Sequence, residues 1–413
     1  MRVLIFSTVY VPLVGGAEVA MREITDRISD IEFDLICARV RPGLASMERI
    51  GNVTVHRVGF GRPFDKFLLP FLGPVRALLL KGSGDIKVVW ALMASYGGFA
   101  ALVYTWIRPR SKFLLTLQEG DPLEHYAKRA GMLRFLHKKI FERADAVQAI
   151  SHFLAKWATN MGFKGRPEVV PNGVDLKLFG KSGVGSGESE EGAMSNGQWA
   201  EGMDMKDQID PQPTMYDVRE AGSGKRDAIR HQYGFGTDDV ILITTSRLSL
   251  KNGVDDLIRS LIHLPAKYKT LVVGEGEDRD KLVSLAKQKG LEDRVVFAGL
   301  KQHHELPNLL RASDVFVRPS LSEGLGISFL EAMAAGIPII GTPVGGIVDF
   351  LLDGHTGLFC QPRDPESIAK AVLHVQEDPS LRERIILQAG ELVRKSYDWD
   401  KIAGRMKEML TSL

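Results

Sequence analysis

Two glutamates, Glu323 and Glu331, flank a glycine-spaced turn in Ser322-Glu323-Gly324-Leu325-Gly326-Ile327-Ser328-Phe329-Leu330-Glu331. Gly324 and Gly326 allow a ligand to approach the backbone. The helix predicted to open here, and to stop at Gly336 before Pro338, turns free N–H groups and a positive dipole end towards that ligand. Such a terminus suits a phosphate. Carboxylates also bond well to vicinal hydroxyls, so Glu323 on the loop and Glu331, about two turns into the helix, suit sugar and ribose hydroxyls. The plainer alternative is a surface helix with two solvated glutamates. Earlier in the chain, Ser246-Arg247-Leu248-Ser249-Leu250-Lys251-Asn252-Gly253 carries two cations on a short loop after a predicted strand, where they can neutralise a diphosphate.

The elements that must hold these residues follow from hydrophobic periodicity. Apolar runs predict strands over 3–7, 33–38, 53–58, 87–92, 113–117, 146–150 and 168–170, with helical stretches between several of them. After a break, strands are predicted over 240–245, 270–274, 294–297, 314–317 and 337–341. Alternation of this kind gives α/β architecture with parallel sheets that bind ligands at the carboxyl ends of their strands. We therefore expect two doubly wound lobes, 1–179 and 227–395, facing each other across a cleft. A terminal helix over 396–413 packs back towards the first lobe. Residues 180–226 hold nine glycines, nine acids and five bases with little apolar periodicity, and read as a disordered linker or insertion.

The 413 residues are 44% hydrophobic and 25% charged, the profile of an ordinary globular protein. A formal charge of +2 gives no overall argument for nucleic acid. The halves differ, however, since residues 1–179 carry 25 basic and 16 acidic side chains. This suggests a first lobe that faces something anionic. Cys37 and Cys360 each sit in an apolar run and read as buried hydrophobes in a reducing compartment. The amino terminus reads as a strand rather than a signal peptide. The uncharged stretch 88–107 is long enough for a membrane span, but Ser95-Tyr96-Gly97-Gly98 divides it into a strand over 88–92 and a helix over 99–107. His303-His304-Glu305 is adjacent in sequence but lacks the convergent spacing of a metal-ligand cluster. Gly274-Glu275-Gly276 lacks the third glycine of a dinucleotide fingerprint, which argues against a nicotinamide enzyme.

Taken together, Gly15-Gly16-Ala17-Glu18, Val170-Pro171-Asn172-Gly173-Val174-Asp175, Ser246-Arg247 with Lys251, Gly274-Glu275-Gly276, and Glu323 with Glu331 resemble the family 4 retaining glycosyltransferases of GT-B fold. The resemblance runs nearly end to end outside 180–226. It implies that Arg247 and Lys251 bind the diphosphate of a nucleotide-sugar donor, with Gly324, Leu325, Gly326 and Ile327 forming the adjoining turn. It also implies that Glu331 binds the ribose and Glu323 the transferred sugar. Gly15 and Gly16 would let the first loop approach the donor phosphate or the acceptor. The nucleotide sugar is then a substrate, and no cofactor or metal is implied. Where many relatives place a histidine near the sugar, this chain has Gln118-Glu119-Gly120-Asp121. Gln118 can exchange hydrogen bonds with sugar or acceptor but cannot act as a base, which leaves Glu119 and Asp121 as the nearest candidates to take a proton. His125 and His152 read as structural. The competing readings are a sugar-nucleotide epimerase of similar two-lobed shape and a catalytically silent binding protein.

The acceptor is expected to be a glycan or a lipid-linked molecule, reached from the cytoplasm, with the first lobe touching the membrane surface. The basis is the positive charge of that lobe and two mixed apolar and basic stretches. Residues 62–81 interleave Phe64, Phe67, Phe71 and Leu79 with Lys66 and Arg76. Residues 128–143 mix Lys128, Arg129, Arg134, Lys138, Lys139 and Arg143 with Met132, Leu133, Phe135, Leu136, Ile140 and Phe141. The alternative is a helix that covers the sheet with a basic solvated face.

Overall fold

In the computed structural model, which describes residues 1–13, 15–80, 82, 85–121, 134–180 and 223–413, the apolar runs pair into two sheets. The first holds β1 Arg2–Phe6, β2 Glu32–Ala38, β3 Met47–Ile50, β4 Val53–Val58, β5 Val88–Leu92, β6 Lys112–Leu117, β7 Ala146–Ala149 and β8 Glu168–Val169. Their order is β3-β4-β2-β1-β5-β6-β7-β8. Every pairing is parallel except β3 with β4. The second sheet holds β9 Val240–Thr245, β10 Tyr268–Val273, β11 Val295–Gly299, β12 Val315–Arg318, β13 Ile339–Gly341 and β14 Leu358–Phe359, in the order β11-β10-β9-β12-β13-β14. Most of the predicted strands lie within a residue or two of these. β3 and β14 escaped the periodicity, the first because Met-Glu-Arg-Ile is a half-exposed edge and the second because it is two residues long. The expected insertion 180–226 lies mostly outside the described residues, as do Lys81, His125, Lys128, Arg129, Met132 and Leu133. The boundary at 226 is corrected, because a helix already begins at Ser223.

Helices cover both faces. They are α1 Gly16–Arg27, α2 Asp65–Leu78, α3 Tyr96–Ile107, α4 Arg134–Arg143, α5 His152–Asn160, α6 Leu176–Phe179, α7 Ser223–Gln232, α8 Val254–Ser260, α9 Arg279–Gln288, α10 Leu306–Ala312, α11 Ile327–Ala335, α12 Pro365–Glu377, α13 Pro379–Ser396 and α14 Trp399–Ser412. Alternation along β1 shows why two covers are needed. Leu4 and Phe6 point into one core with residues of α2 and α3, whereas Val3 and Ile5 point into another with residues of α1 and α14. The stretch 88–107 resolves into β5 and α3, with α3 starting at Tyr96 rather than 99. Among the described residues no helix is long and apolar enough to cross a membrane.

The end of the chain returns to the first lobe. Trp399, Ile402, Met406 and Leu410 of α14 are buried in the core that contains Met21 and Ile24 of α1. Arg27 pairs with Asp400 at 2.7 Å and Lys407 with Asp30 at 2.7 Å. The Val174 N–H donates to the Tyr397 carbonyl at 2.8 Å, just before that helix.

Candidate active site

The glutamate segment folds as its glycines require. β12 ends at Arg318, the chain turns through Pro319–Leu325, and α11 opens from Gly326 at φ +95° and closes at Gly336 at φ +78°. Both angles are left-handed and favour glycine. A second glycine turn props the loop from behind. Gly345 sits at φ +57°, where a methyl group would fall 1.9 Å from the Glu323 carbonyl oxygen, and the Gly346 N–H donates to that same oxygen at 3.1 Å. The cation loop is fitted just as closely. A methyl on Gly253 would meet the Pro319 carbonyl at 2.0 Å, and methyls on Gly274 and Gly276 would meet the carbonyls of Ser246 and Leu248 at 2.0 and 2.2 Å. The glycines of Gly274-Glu275-Gly276 therefore admit the Arg247 loop rather than a dinucleotide.

Both glutamates are buried, which sets aside the alternative of a surface helix with two solvated glutamates. Arg318, itself buried, donates to Glu323 Oε2, to Ser328 Oγ at 2.7 Å and to Asn252 Oδ1 at 3.0 Å. Glu323 Oε1 accepts from the Gly324 N–H at 3.1 Å. Glu331 Oε1 accepts from His303 Nε2 at 2.8 Å, and His303 rests on Phe179 with ring centroids 5.1 Å apart. The Glu331 hydrogen bond, with the charge behind it, raises the His303 pKa above its ordinary value. Sequence reasoning passed over Arg318 and His303 as site residues. Arg318 carried a legible signal, because strand parity places it on the same face as Phe316, towards α11. His303 stands at the start of a short 3-10 turn with no period to betray it.

Across from these residues lies the loop after β6. A methyl on Gly120 would approach Lys251 Nζ to 3.2 Å and Glu323 Oε1 to 3.7 Å, and one on Gly324 would meet the Glu119 carbonyl oxygen at 2.5 Å. Lys251 donates to the Gly120 carbonyl at 2.9 Å and pairs with Asp121 at 3.1 Å. Arg247 is exposed and only loosely paired with Glu277 at 3.8 Å, so the two cations of the loop have separate surroundings. Also on the first lobe, the Gly15 N–H donates to Glu18 Oε2 at 2.8 Å as α1 begins, and a methyl on Gly16 would lie 3.8 Å from Ile327 Cδ1. Gly16, Gly120, Lys251, Glu323, Gly324 and Ile327 thus come together where the two sheets present the carboxyl ends of their strands.

Gln118 reaches this region from behind. Its amide exchanges two hydrogen bonds with buried Asn172, at 3.1 and 2.9 Å, which fixes the plane of the side chain. Glu119 is corrected as a proton acceptor. It is buried and turned back into its lobe, where Oε1 accepts from the Ala94 N–H at 2.8 Å. Ala94 also accepts from His137 at 2.9 Å and follows Met93, held at φ +68°. Glu119 therefore fastens the turn between β5 and α3. Burial without a second partner pushes its pKa up to about 7. His152 bridges the lobes, with its N–H 2.7 Å and its ring 3.2 Å from Asp349.

Two family descriptions divide the chain as the sheets do. "Glycosyltransferase Family 4" matches residues 14–178 and "Glycosyl transferases group 1" matches residues 225–392. The chain belongs to glycosyltransferase family 4. The chain is 35% identical over 176 residues to an uncharacterized glycosyltransferase of Methanocaldococcus jannaschii, covering 42% of this chain and 45% of that protein. It is 34% identical over 165 residues to a glycogen synthase of Mycobacterium tuberculosis, covering 39% and 40%. The matched stretch spans about half the length of these curated relatives or less. In fold, the chain is similar to sucrose-phosphate synthase from Thermosynechococcus elongatus, with a TM-score of 0.78, 20% identity and coverage of 100% and 98%. It is similar also to Anabaena HepE in complex with UDP and glucose, with a TM-score of 0.75, 20% identity and full coverage of both chains. Both likenesses establish the GT-B fold.

Proposed function

We propose that this glycosyltransferase moves a sugar from a nucleotide diphosphate donor to a hydroxyl of a glycan or lipid-linked acceptor, with retention of anomeric configuration and without a metal. The observation that carries the reading is the meeting of Gly120, Lys251, Glu323 and Gly324 between the lobes, beside the amino end of α11. Lys251, the amides opening α11 and Arg247 take the charge that develops on the departing diphosphate; such preorganised donors are each worth about 3 kcal/mol in transition-state stabilisation. Glu331 receives the ribose hydroxyls, and His303 shares that carboxylate. Glu323 faces the hydroxyls of the transferred sugar, with Arg318 holding its carboxylate in place.

Retention fits attack from the same face as the leaving phosphate, whose oxygen takes the acceptor proton, because Glu119 is turned away and Asp121 is engaged by Lys251. Gln118, fixed by Asn172, borders the sugar without acting as a base. The HepE complexes make UDP-glucose the first donor to test. Calorimetric titration of UDP and GDP sugars, followed by UDP-release assays with and without EDTA, is the experiment. Donor-dependent release that survives EDTA and is lost in Lys251→Ala is the expected result. No binding by any nucleotide sugar, or release abolished by EDTA, overturns the corresponding part of the proposal.

A further inference from the structure

The outer face of α2 is apolar along its whole length. Phe64, Phe67, Phe71 and Val75 recur at helical spacing, Phe60 precedes them and Leu79 follows, and all six are exposed, Phe71 to 70%. A continuous apolar stripe of this kind on a soluble lobe marks a surface that something covers. Its surroundings identify the chemistry. Residues 60–80 contain one acid, Asp65, which is fully buried and accepts from the Gly61 and Arg62 N–H groups at 2.7 and 3.1 Å. Residues 96–111, which form α3 and the turn after it, contain none.

The cations remain outside. Arg62 is exposed, and Lys66 lies 5.3 Å over the Phe67 ring. Arg108 and Arg110 are exposed beyond Trp106 and Ile107, which are themselves exposed at the end of α3. Arg76 is the exception, since it turns inward to His56 at 3.0 Å. The two helices run side by side in the same direction. Phe67 stacks edge-on against Tyr96 at 5.3 Å, and a methyl on Gly73 would touch Ala100 Cβ at 3.5 Å. Phe60, Phe64 and Phe67 therefore stand at the end of the stripe near the β5–α3 turn, on the cleft side, and the exposed end of α3 lies at the far end.

We propose that this face docks on an anionic lipid bilayer, with the aromatic stripe entering the headgroup and upper acyl region and Arg62, Lys66, Arg108 and Arg110 on the phosphates. A second copy placed face to face on the stripe would set these cations against one another, since the single acid of residues 60–80 and 96–111 is the buried Asp65, whereas an anionic surface neutralises them all. The mouth of the cleft is then held at headgroup level. Resting on the glycosyltransferase reading, this makes the acceptor a hydroxyl on a lipid-anchored molecule.

Flotation of the full chain with vesicles tests the docking. The comparison is phosphatidylcholine alone against phosphatidylcholine with about one third phosphatidylglycerol, at low and high salt. The chain is expected to float with the anionic vesicles at low salt and to be released by high salt. Phe67→Asp/Phe71→Asp should weaken flotation by about tenfold or more, and Arg108→Glu/Arg110→Glu should remove its salt-sensitive part. Both variants change exposed side chains, and an unchanged thermal melt would show that the fold is intact. Failure of the wild type to float, or equal flotation of the double Asp variant, overturns the proposal. So does a wild-type dimer by light scattering that the Asp variant dissociates. Donor titration on the same samples separates the two readings, because vesicle binding without nucleotide binding sinks the enzymatic reading and leaves the docking intact.

Discussion

Arg318 makes Glu323 available at a cost. Both charges are buried, and the arginine spends its fork on Glu323, Ser328 and Asn252. Arg318→Met should lower stability by about 3 kcal/mol or more, read from the urea midpoint, because it strands a carboxylate in a dry site. Adding Glu323→Gln to that variant should recover much of the loss. If the single variant melts as the wild type does, Glu323 is not held in the way described. Glu119 gives a pH signature. Its pKa is raised by burial from 4.5 to about 7 in the folded chain, so the folded state holds a proton that the unfolded chain has already lost in that window. Its contribution is fully present below pH ~4.5 and is lost as pH rises to ~7, a difference on the order of 3 kcal/mol. Glu119→Gln keeps an acceptor for the Ala94 N–H and carries no titration. The variant should therefore gain stability over the wild type between pH 5 and 8, measured by denaturant melts at each pH.

At the level of elements, α11 and the loop before it were the most legible part of the sequence. Glycines, a stop signal and two carboxylates placed the turn between β12 and α11, and the structure has it there. The partners of those carboxylates were not legible, because they come from 5 and 28 residues away on other elements and no local period links them. The direction of Glu119 was hidden for a related reason. Strand alternation ends at Leu117, and beyond that point parity no longer tells which way a side chain turns. The mixed apolar and basic character of α2 was readable, but which of its faces the sheet would cover was not, since both carry apolar residues. The loop also sets the distance between the lobes, as Gly324 rests on the Glu119 carbonyl. Gly324→Ala places a methyl group in that contact and should leave each lobe folded, with a nearly unchanged melt, while donor turnover falls by about a hundredfold. Normal turnover would show that the lobes need not approach so closely.

For the whole molecule, what matters is where the chain passes from one lobe to the other. It does so at Val174–Asp175, just before α6, and again at Tyr397–Asp398, before α14, and the two crossings pair with each other through a Val174–Asp398 bridge. Just beyond the first crossing, Arg311 fastens α6 to the second lobe, its guanidinium reaching the carbonyls of Leu178, Phe179 and Gly180 at 3.4, 2.8 and 2.7 Å. The second is held by Val174. Two covalent crossings held side by side form one narrow hinge. A single tether would leave the lobes free to twist and slide, whereas two paired crossings restrict that freedom and favour bending at the hinge. Bending at that hinge would part Lys251 from Gly120 and Gly324 from Glu119 together, and closure would restore both contacts at once.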